Sequence, residues 1–288
     1  MEDLSRIIKE FEPLSKHCSY RTGGPARYFA TPKNLYDLNR VMEFIQSNTF
    51  KYIIIGNGSN VLFDDRGFDG VVISLKYLNR YMFIDGEIFI AGAGVLLDDA
   101  VEYSILNNLT GMEELSGIPG TIGGAVFMNA GAFNTEMKDI IYAINLYEGG
   151  IVRKISNEEA NFSYRRSSLE GKIVLEVEMN LKRSKNVDIT KRYDILNRRA
   201  MKQPLEYPSC GSVFKRPEGS YAGKLIEEAG LKGFSIGGAK ISEKHANFIV
   251  NYNNATSDDI KRIIEFVKKK VYEETGVMLE EEVKIIDY

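Results

Sequence analysis

The residue types best suited to chemistry in the first half of this sequence are glycines, grouped in three segments. Gly56-Asn57-Gly58-Ser59-Asn60 directly follows a short apolar run, and Ala91-Gly92-Ala93-Gly94 follows another. The third is Gly117-Ile118-Pro119-Gly120-Thr121-Ile122-Gly123-Gly124-Ala125, continued by Met128-Asn129-Ala130-Gly131-Ala132. Glycine admits positive φ and lets backbone N–H groups approach an anion with no Cβ in the way. Several such turns converging on one place can hold a pyrophosphate, whereas each turn taken singly reads more readily as a simple tight turn. None is a GxGxxG opening a helix, nor a P-loop with its Lys-Ser/Thr pair, so a nucleotide site here is of another design.

In the second half the reactive types are fewer and each has a plain structural reading. Arg165 and Arg166 follow Phe162-Ser163-Tyr164 and read as a solvated pair; Ser212 reads as a cap on the turn before Val213-Phe214. Glu280-Glu281-Glu282 reads as a solvated edge. Strand alternation puts Glu280, Glu282 and Lys284 on one face and Leu279, Glu281, Val283 and Ile285 on the other, which offers no choice of a single reactive glutamate. The two cysteines, Cys18 and Cys210, are far apart and lack CxxC spacing, which points to a reducing cytoplasm. With only His17 and His245 available, a histidine-rich metal site is not expected, and no metal is.

The elements that must position these residues alternate between strands and helices. Asn34 caps an amphipathic helix with Leu35, Leu38, Val41, Met42 and Ile45 on its apolar side. Strands are expected at 52–55, 71–73, 88–91, 140–147 and 173–181, with a helix over 98–108 whose first turn is acidic. Further helices are expected over 190–201 and 221–229, the latter closed by Gly230. The clearest helix opens at Ser257 as cap and carries the stripe Ile260, Ile263, Ile264, Val267 and Val271. Gly276 ends it, and a terminal strand is expected over 277–286.

A chain of 288 residues with 44% hydrophobic and 27% charged content suits two or three compact domains. A boundary is expected near 184–200. A net charge of −3 with no charged block argues against bulk nucleic-acid binding, and no run approaches a membrane span. With Glu2, Asp3, Arg6, Lys9 and Glu10, the amino-terminal segment is expected to be neither a signal peptide nor an anchor.

Taken in order, the segments resemble one family. Arg21-Thr22-Gly23-Gly24-Pro25-Ala26, then GNGSN with Asp64 and Gly67 downstream, then AGAG, then GIPGTIGGA with MNAGA, are similar to the FAD-binding half of the UDP-N-acetylenolpyruvoylglucosamine reductases, the MurB family. Three later pieces match as well: Tyr164-Arg165 with Ser167, then Gly211-Ser212 with Phe214-Lys215, then Leu279 with Glu282-Val283-Lys284. The resemblance runs from about residue 18 to the carboxy terminus. It implies an α+β fold: a two-part FAD-binding module of the vanillyl-alcohol-oxidase/PCMH type over 1–189, its parts dividing near 75–80, and a substrate-binding domain over 190–288. It further implies FAD held by Gly56, Asn57, Gly58, Ser59, Asn60, Ala91, Gly92, Gly94, Gly117, Pro119, Gly120, Thr121, Gly123, Gly124, Ala125, Asn129 and Ala130.

The activity implied is NADPH-dependent reduction of UDP-N-acetylglucosamine enolpyruvate to UDP-N-acetylmuramate, in peptidoglycan precursor synthesis. Hydride from flavin N5 adds to the enolpyruvyl double bond only if charge developing toward the conjugated carboxylate is stabilised. The resemblance gives that task to Arg165, aided by Glu282, and gives the proton to Ser212. Tyr164, Lys215, Arg216, Lys224, His245 and Asn247 are the implied substrate-binding residues. Cys210, where relatives often carry alanine, is read as a small packed residue. Only 47 positions separate Arg165 from Ser212, which resembles the shorter type of the family, without a tyrosine lid; Tyr193 is not given that part. The protein is expected to be a cytoplasmic monomer acting on small molecules, with neither nucleic acid nor membrane as partner. An alcohol or hydroxy-acid oxidase would share the glycine turns but has no need of the three later pieces together. A nucleotide-sugar binder that had lost flavin would show decayed turns.

Overall fold

The computed structural model describes residues 4–185 and 187–288; Glu2 and Asp3 lie outside them. The fold is α+β, and its contacts divide it into two units. The first comprises the segment ending at Lys9, Phe29–Asn57 and Val71–Arg198; the second comprises Glu10–Tyr28, Gly58–Gly70 and Arg199–Tyr288. The chain thus enters the second unit three times, whereas a single crossing near 184–200 was expected. Two short early segments, 10–28 and 58–70, join the carboxy-terminal part.

In the first unit, α1 (Leu35–Asn48) starts where Asn34 accepts a hydrogen bond from the Asp37 N–H, and it buries Leu38, Val41 and Ile45. Tyr52–Ile55 follows and pairs in parallel with Val71–Ser74. A five-stranded antiparallel sheet supplies the rest, ordered Ile151–Ser156, Ile141–Glu148, Ile173–Asn180, Ile88–Gly92 and Met82–Asp85. The helices α2 (Leu97–Leu106) and α3 (Ile122–Phe127) cover it, closing a core that includes Phe89, Val101, Ile122, Val126, Ile144 and Val177. Each such buried aliphatic or aromatic side chain stabilises the fold by about 1.5–3 kcal/mol. The next helix, α4 (Ile189–Lys202), is amphipathic but buries only Ile195.

The second unit is built on α6 (Ser257–Thr275), whose expected stripe is buried in full. It packs on a three-stranded antiparallel sheet ordered Ser235–Ile236, Ala239–Ile241, Ile249–Asn251, and against α5 (Ala222–Glu228). The cap of α6 is Thr256, not Ser257. Thr256 Oγ1 accepts from the Asp259 N–H while the Asp259 carboxylate accepts from the Thr256 N–H. Such a capping box needs an acid three residues beyond the cap, which Thr256 has and Ser257 lacks. The Ser257 and Asp258 N–H groups are taken instead by the Asp65 carboxylate, at 2.8 and 3.0 Å.

The expected terminal strand over 277–286 is mostly absent. Only Lys284–Ile286 is a strand, parallel to Val61–Phe63. Before it, the Val213 carbonyl accepts from both the Glu282 and Val283 N–H groups, an irregularity that interrupts regular strand pairing.

Candidate functional site

The glycine turns of the first unit lie against one another. A Cβ at Gly56 would stand 2.3 Å from the Thr121 hydroxyl, and one at Gly92 only 1.6 Å from the Asn79 carbonyl oxygen, so neither position has space for a side chain. The Asn57 amide donates to Pro119 O at 2.7 Å, tying the first turn to the third. The second is tied to the third by Ile122 N–H to Val95 O at 2.8 Å, Gly123 N–H to Ala93 O at 3.0 Å and Leu97 N–H to Gly120 O at 2.9 Å. Thr121 then caps α3 through the Gly124 N–H. Asp98 braces the third turn: it accepts the Gly117 N–H at 2.7 Å and the Arg192 guanidinium at 2.5 and 3.0 Å. Ala91 and Ala125 are buried beneath, Gly94 abuts the Leu78 carbonyl, and Ala130 closes back onto Ala125. The cluster therefore brings three stretches of main chain together with no side chain standing between them at Gly56 and Gly92, the close backbone approach that a dinucleotide cofactor needs. It fits FAD. The remaining residues of the first turn, Gly58, Ser59 and Asn60, fall in the second unit. There Gly58 packs on His17 and the Asn60 amide donates to Glu282 O at 3.1 Å.

Arg165 is also in the first unit, at the corner of a tight turn closed by Ser163 N–H to Arg166 O and Arg166 N–H to Ser163 O, at 3.0 and 3.2 Å. Its own φ is +54°, a left-handed conformation that a long side chain adopts only where surroundings fix it. Its guanidinium donates to Gly131 O at 2.8 Å, lies 3.8 Å from Glu136 Oε1, and sits 4.9 Å over the Tyr164 ring. Fully buried Asn129 holds this turn. Its amide donates to Ser163 O and to Glu136 Oε2, both at 3.0 Å, and its carbonyl accepts the Lys138 N–H at 3.0 Å. Its amide nitrogen thus joins the arginine turn to Glu136, and its oxygen holds the Lys138 main chain. Neither it nor Glu136 is recognisable in that part from spacing, because the partners lie up to 34 residues apart.

Ser212 and Glu282 are carried on adjoining main chain in the second unit. Glu282 N–H donates to Val213 O at 2.7 Å, and Lys215 N–H to Glu280 O at 2.8 Å. Gly211, at φ +75°, turns the chain immediately before the serine. Buried Asn247 holds the other side: its carbonyl accepts the Phe214 N–H at 3.0 Å, its amide donates to Phe214 O at 2.9 Å, and Val213 N–H donates to Asn247 O at 2.8 Å. His245 Nδ1 accepts the Asn247 N–H at 3.2 Å, an arrangement that requires the Nδ1 position unprotonated. Burial lowers the pKa of His245 from its ordinary value.

Of the three consecutive glutamates, Glu281 pairs with Lys268 at 2.7 Å and Glu280 with Lys215. Arg216 is exposed over the Tyr221 ring at 4.2 Å, and Lys224 is exposed beside Glu228 on α5. Tyr164 is half exposed. Tyr193 is exposed on α4, in the interval expected to hold a charged helix. Cys210 is buried with its thiol on Val61 O at 3.3 Å, and burial pushes its pKa far up, as suits a packed, unreactive group.

Two family models match the chain: the FAD binding domain over residues 26–149 and the carboxy-terminal domain of UDP-N-acetylenolpyruvoylglucosamine reductase over 203–286. With the glycine cluster, they define an FAD-dependent oxidoreductase. The UDP-N-acetylenolpyruvoylglucosamine reductase of Caldanaerobacter subterraneus subsp. tengcongensis is 45% identical, the match covering 99% of this chain and 97% of that protein. That of Clostridioides difficile strain 630 is 45% identical over 97% of this chain and 93% of its own. The crystal structure of the reductase from Thermus caldophilus superimposes with a TM-score of 0.82 at 35% identity, covering 96% and 97% of the two chains. The chain belongs to the UDP-N-acetylenolpyruvoylglucosamine reductase family.

Proposed function

We propose that the protein reduces UDP-N-acetylglucosamine enolpyruvate to UDP-N-acetylmuramate with electrons from NADPH, a step of peptidoglycan precursor synthesis. The observation that most supports this reading is the main-chain bond from Glu282 to Val213 O, which puts a carboxylate residue and the Ser212 hydroxyl on adjoining segments. FAD, when bound, supplies hydride transfer, and the three glycine turns with Asn57 and Thr121 would hold it. Arg165 supplies a fixed, permanently charged fork for the carboxylate toward which negative charge develops. Ser212 gives its hydroxyl proton to the carbon left electron-rich, and Glu282 shares in stabilising that charge. Lys215 and Arg216 neutralise the diphosphate, Tyr164 lines the carboxylate pocket, and Lys224 and His245 complete the substrate-binding set. Asn247 contributes by holding the serine segment. No described helix is long and apolar enough to cross a membrane, and we place the protein in the cytoplasm as a monomer acting on small molecules.

Anaerobic flavin absorbance tests the reading. NADPH should bleach the bound flavin, and UDP-N-acetylglucosamine enolpyruvate should restore the oxidised spectrum. A flavin that stays bleached until oxygen is admitted would replace the proposed substrate with an oxidase activity.

A further inference from the structure

Arginine has a long, rotamer-rich side chain, and an arginine that must meet developing charge gains from being held before substrate arrives. The Arg165 side chain is only 17% exposed, and that of Glu136, a carboxylate 3.8 Å from its guanidinium, 22%. Glu136 is itself fixed. Its Oε2 accepts from the Asn129 amide at 3.0 Å and pairs with Lys138 Nζ at 2.8 Å, and its backbone N–H donates to Asp139 Oδ2 at 2.7 Å. Its Oε1 is the oxygen that faces Arg165.

We propose that Glu136 is the positioning residue for Arg165, orienting the guanidinium through Oε1 while Lys138 balances its charge through Oε2. The pairing with Lys138 matters chemically. Lys138 Nζ meets the Glu136 carboxylate on its other oxygen, at 2.8 Å, so Arg165 does not have to balance the whole of that charge. Arg165 is thereby oriented without being cancelled. Glu136 does not touch the reacting atoms and acts only through Arg165. The consequence for catalysis rests on the function proposed above, whereas the positioning itself does not.

The test uses the flavin-loaded full chain with Glu136→Ala and Glu136→Gln, and two readouts. The first is nitrogen-15 NMR of the Arg165 guanidinium, its signals assigned by their loss in Arg165→Lys. Rotation about its Cζ–Nε bond should be roughly tenfold faster in Glu136→Ala, and should stay faster in Glu136→Gln, because the 3.8 Å contact is between charges and the amide carries none. The second separates the half-reactions. Reduction by NADPH should stay within about twofold, while reoxidation by UDP-N-acetylglucosamine enolpyruvate slows roughly 10- to 100-fold in both variants. Wild-type guanidinium rotation in Glu136→Ala overturns the proposal. So does equal slowing of both half-reactions with loss of bound flavin, which would make Glu136 a plain structural residue. If wild-type protein is not reoxidised by the substrate, the functional reading falls, and guanidinium rotation still decides the matter for Glu136.

Discussion

Each unit carries a turn with a residue proposed for catalysis, Arg165 or Ser212, and a buried asparagine that staples it, and the two are built differently. In the first, Arg165 itself occupies the positive-φ corner, at +54°, and Asn129 beside it is at +43°. In the second, Gly211 takes the positive φ at +75°, and Ser212 follows it. The strain costs of order 1–3 kcal/mol at a non-glycine residue and almost nothing at glycine. The support matches. Asn129 makes three hydrogen bonds to two separate segments, 136–138 and 163. Asn247 makes two side-chain bonds, both to Phe214, and leaves the rest to main-chain pairing with 280–283. The strained turn draws its support from a side-chain network, and the turn that follows a glycine divides it between one side chain and backbone pairing.

The largest expected effect comes from removing a reactive group without disturbing either staple. Ser212→Ala should leave NADPH reduction of the flavin intact and slow its reoxidation by substrate roughly 10²- to 10⁴-fold. Stopped-flow absorbance of the two half-reactions checks it. Rapid reoxidation by the variant would remove Ser212 as proton donor and leave its turn with no functional counterpart to that of Arg165.

Removing the staples comes next. Asn129→Ala leaves Ser163 O, Glu136 and the Lys138 N–H without their partner in a buried site, a loss of about 3 kcal/mol in denaturant unfolding. Asn247→Ala orphans the two Phe214 main-chain groups and should cost about 2 kcal/mol. The kinetic signatures should differ as well. Loosening the serine segment should raise the solvent deuterium isotope effect on reoxidation, because proton delivery becomes more limiting. Loosening the arginine turn should leave that isotope effect unchanged and weaken substrate binding. Identical signatures from the two variants would erase the contrast between the units.

How much of this was legible in the sequence follows the same division between local and distant contacts. The stripe of α6, the Asn34 cap of α1 and the strands at 52–55, 88–92 and 173–180 depend on neighbours within a few residues, and they were readable. Thr256 and Ser257 are both good cap residues, and only the acid at Asp259 separates them. The strand expected over 277–286 failed because the Val213 carbonyl, far away in sequence, draws two successive N–H groups and interrupts regular strand pairing. The segments 10–28 and 58–70 carry no compositional mark of belonging with 199–288. In the candidate site, residue types in ordered motifs pointed to Arg165, Ser212 and Glu282. The residues that hold them in place, Glu136 and Asn247 through Phe214, act across gaps that spacing does not encode.

The smallest expected effect concerns pH, and it belongs to the second staple. His245 Nδ1 accepts the Asn247 N–H, so protonation there removes the acceptor and places a charge in a half-buried site. Burial lowers the folded-state pKa below the ordinary value of 6.5, so the unfolded chain takes up the proton at higher pH than the folded chain. Stability from this group is therefore complete above about pH 6.5 and declines as pH falls from there toward the lower folded-state value. Urea midpoints taken between pH 7.5 and 5 should fall for wild type and fall less for His245→Asn, whose side-chain oxygen can accept the same N–H without titrating. The Asn129 staple relies on Glu136 and the Lys138 backbone, with no histidine beside it, so Asn129→Ala should lower the midpoint without altering this slope. An unchanged slope in His245→Asn would show that the histidine is neutral to stability and that backbone pairing alone secures the serine segment.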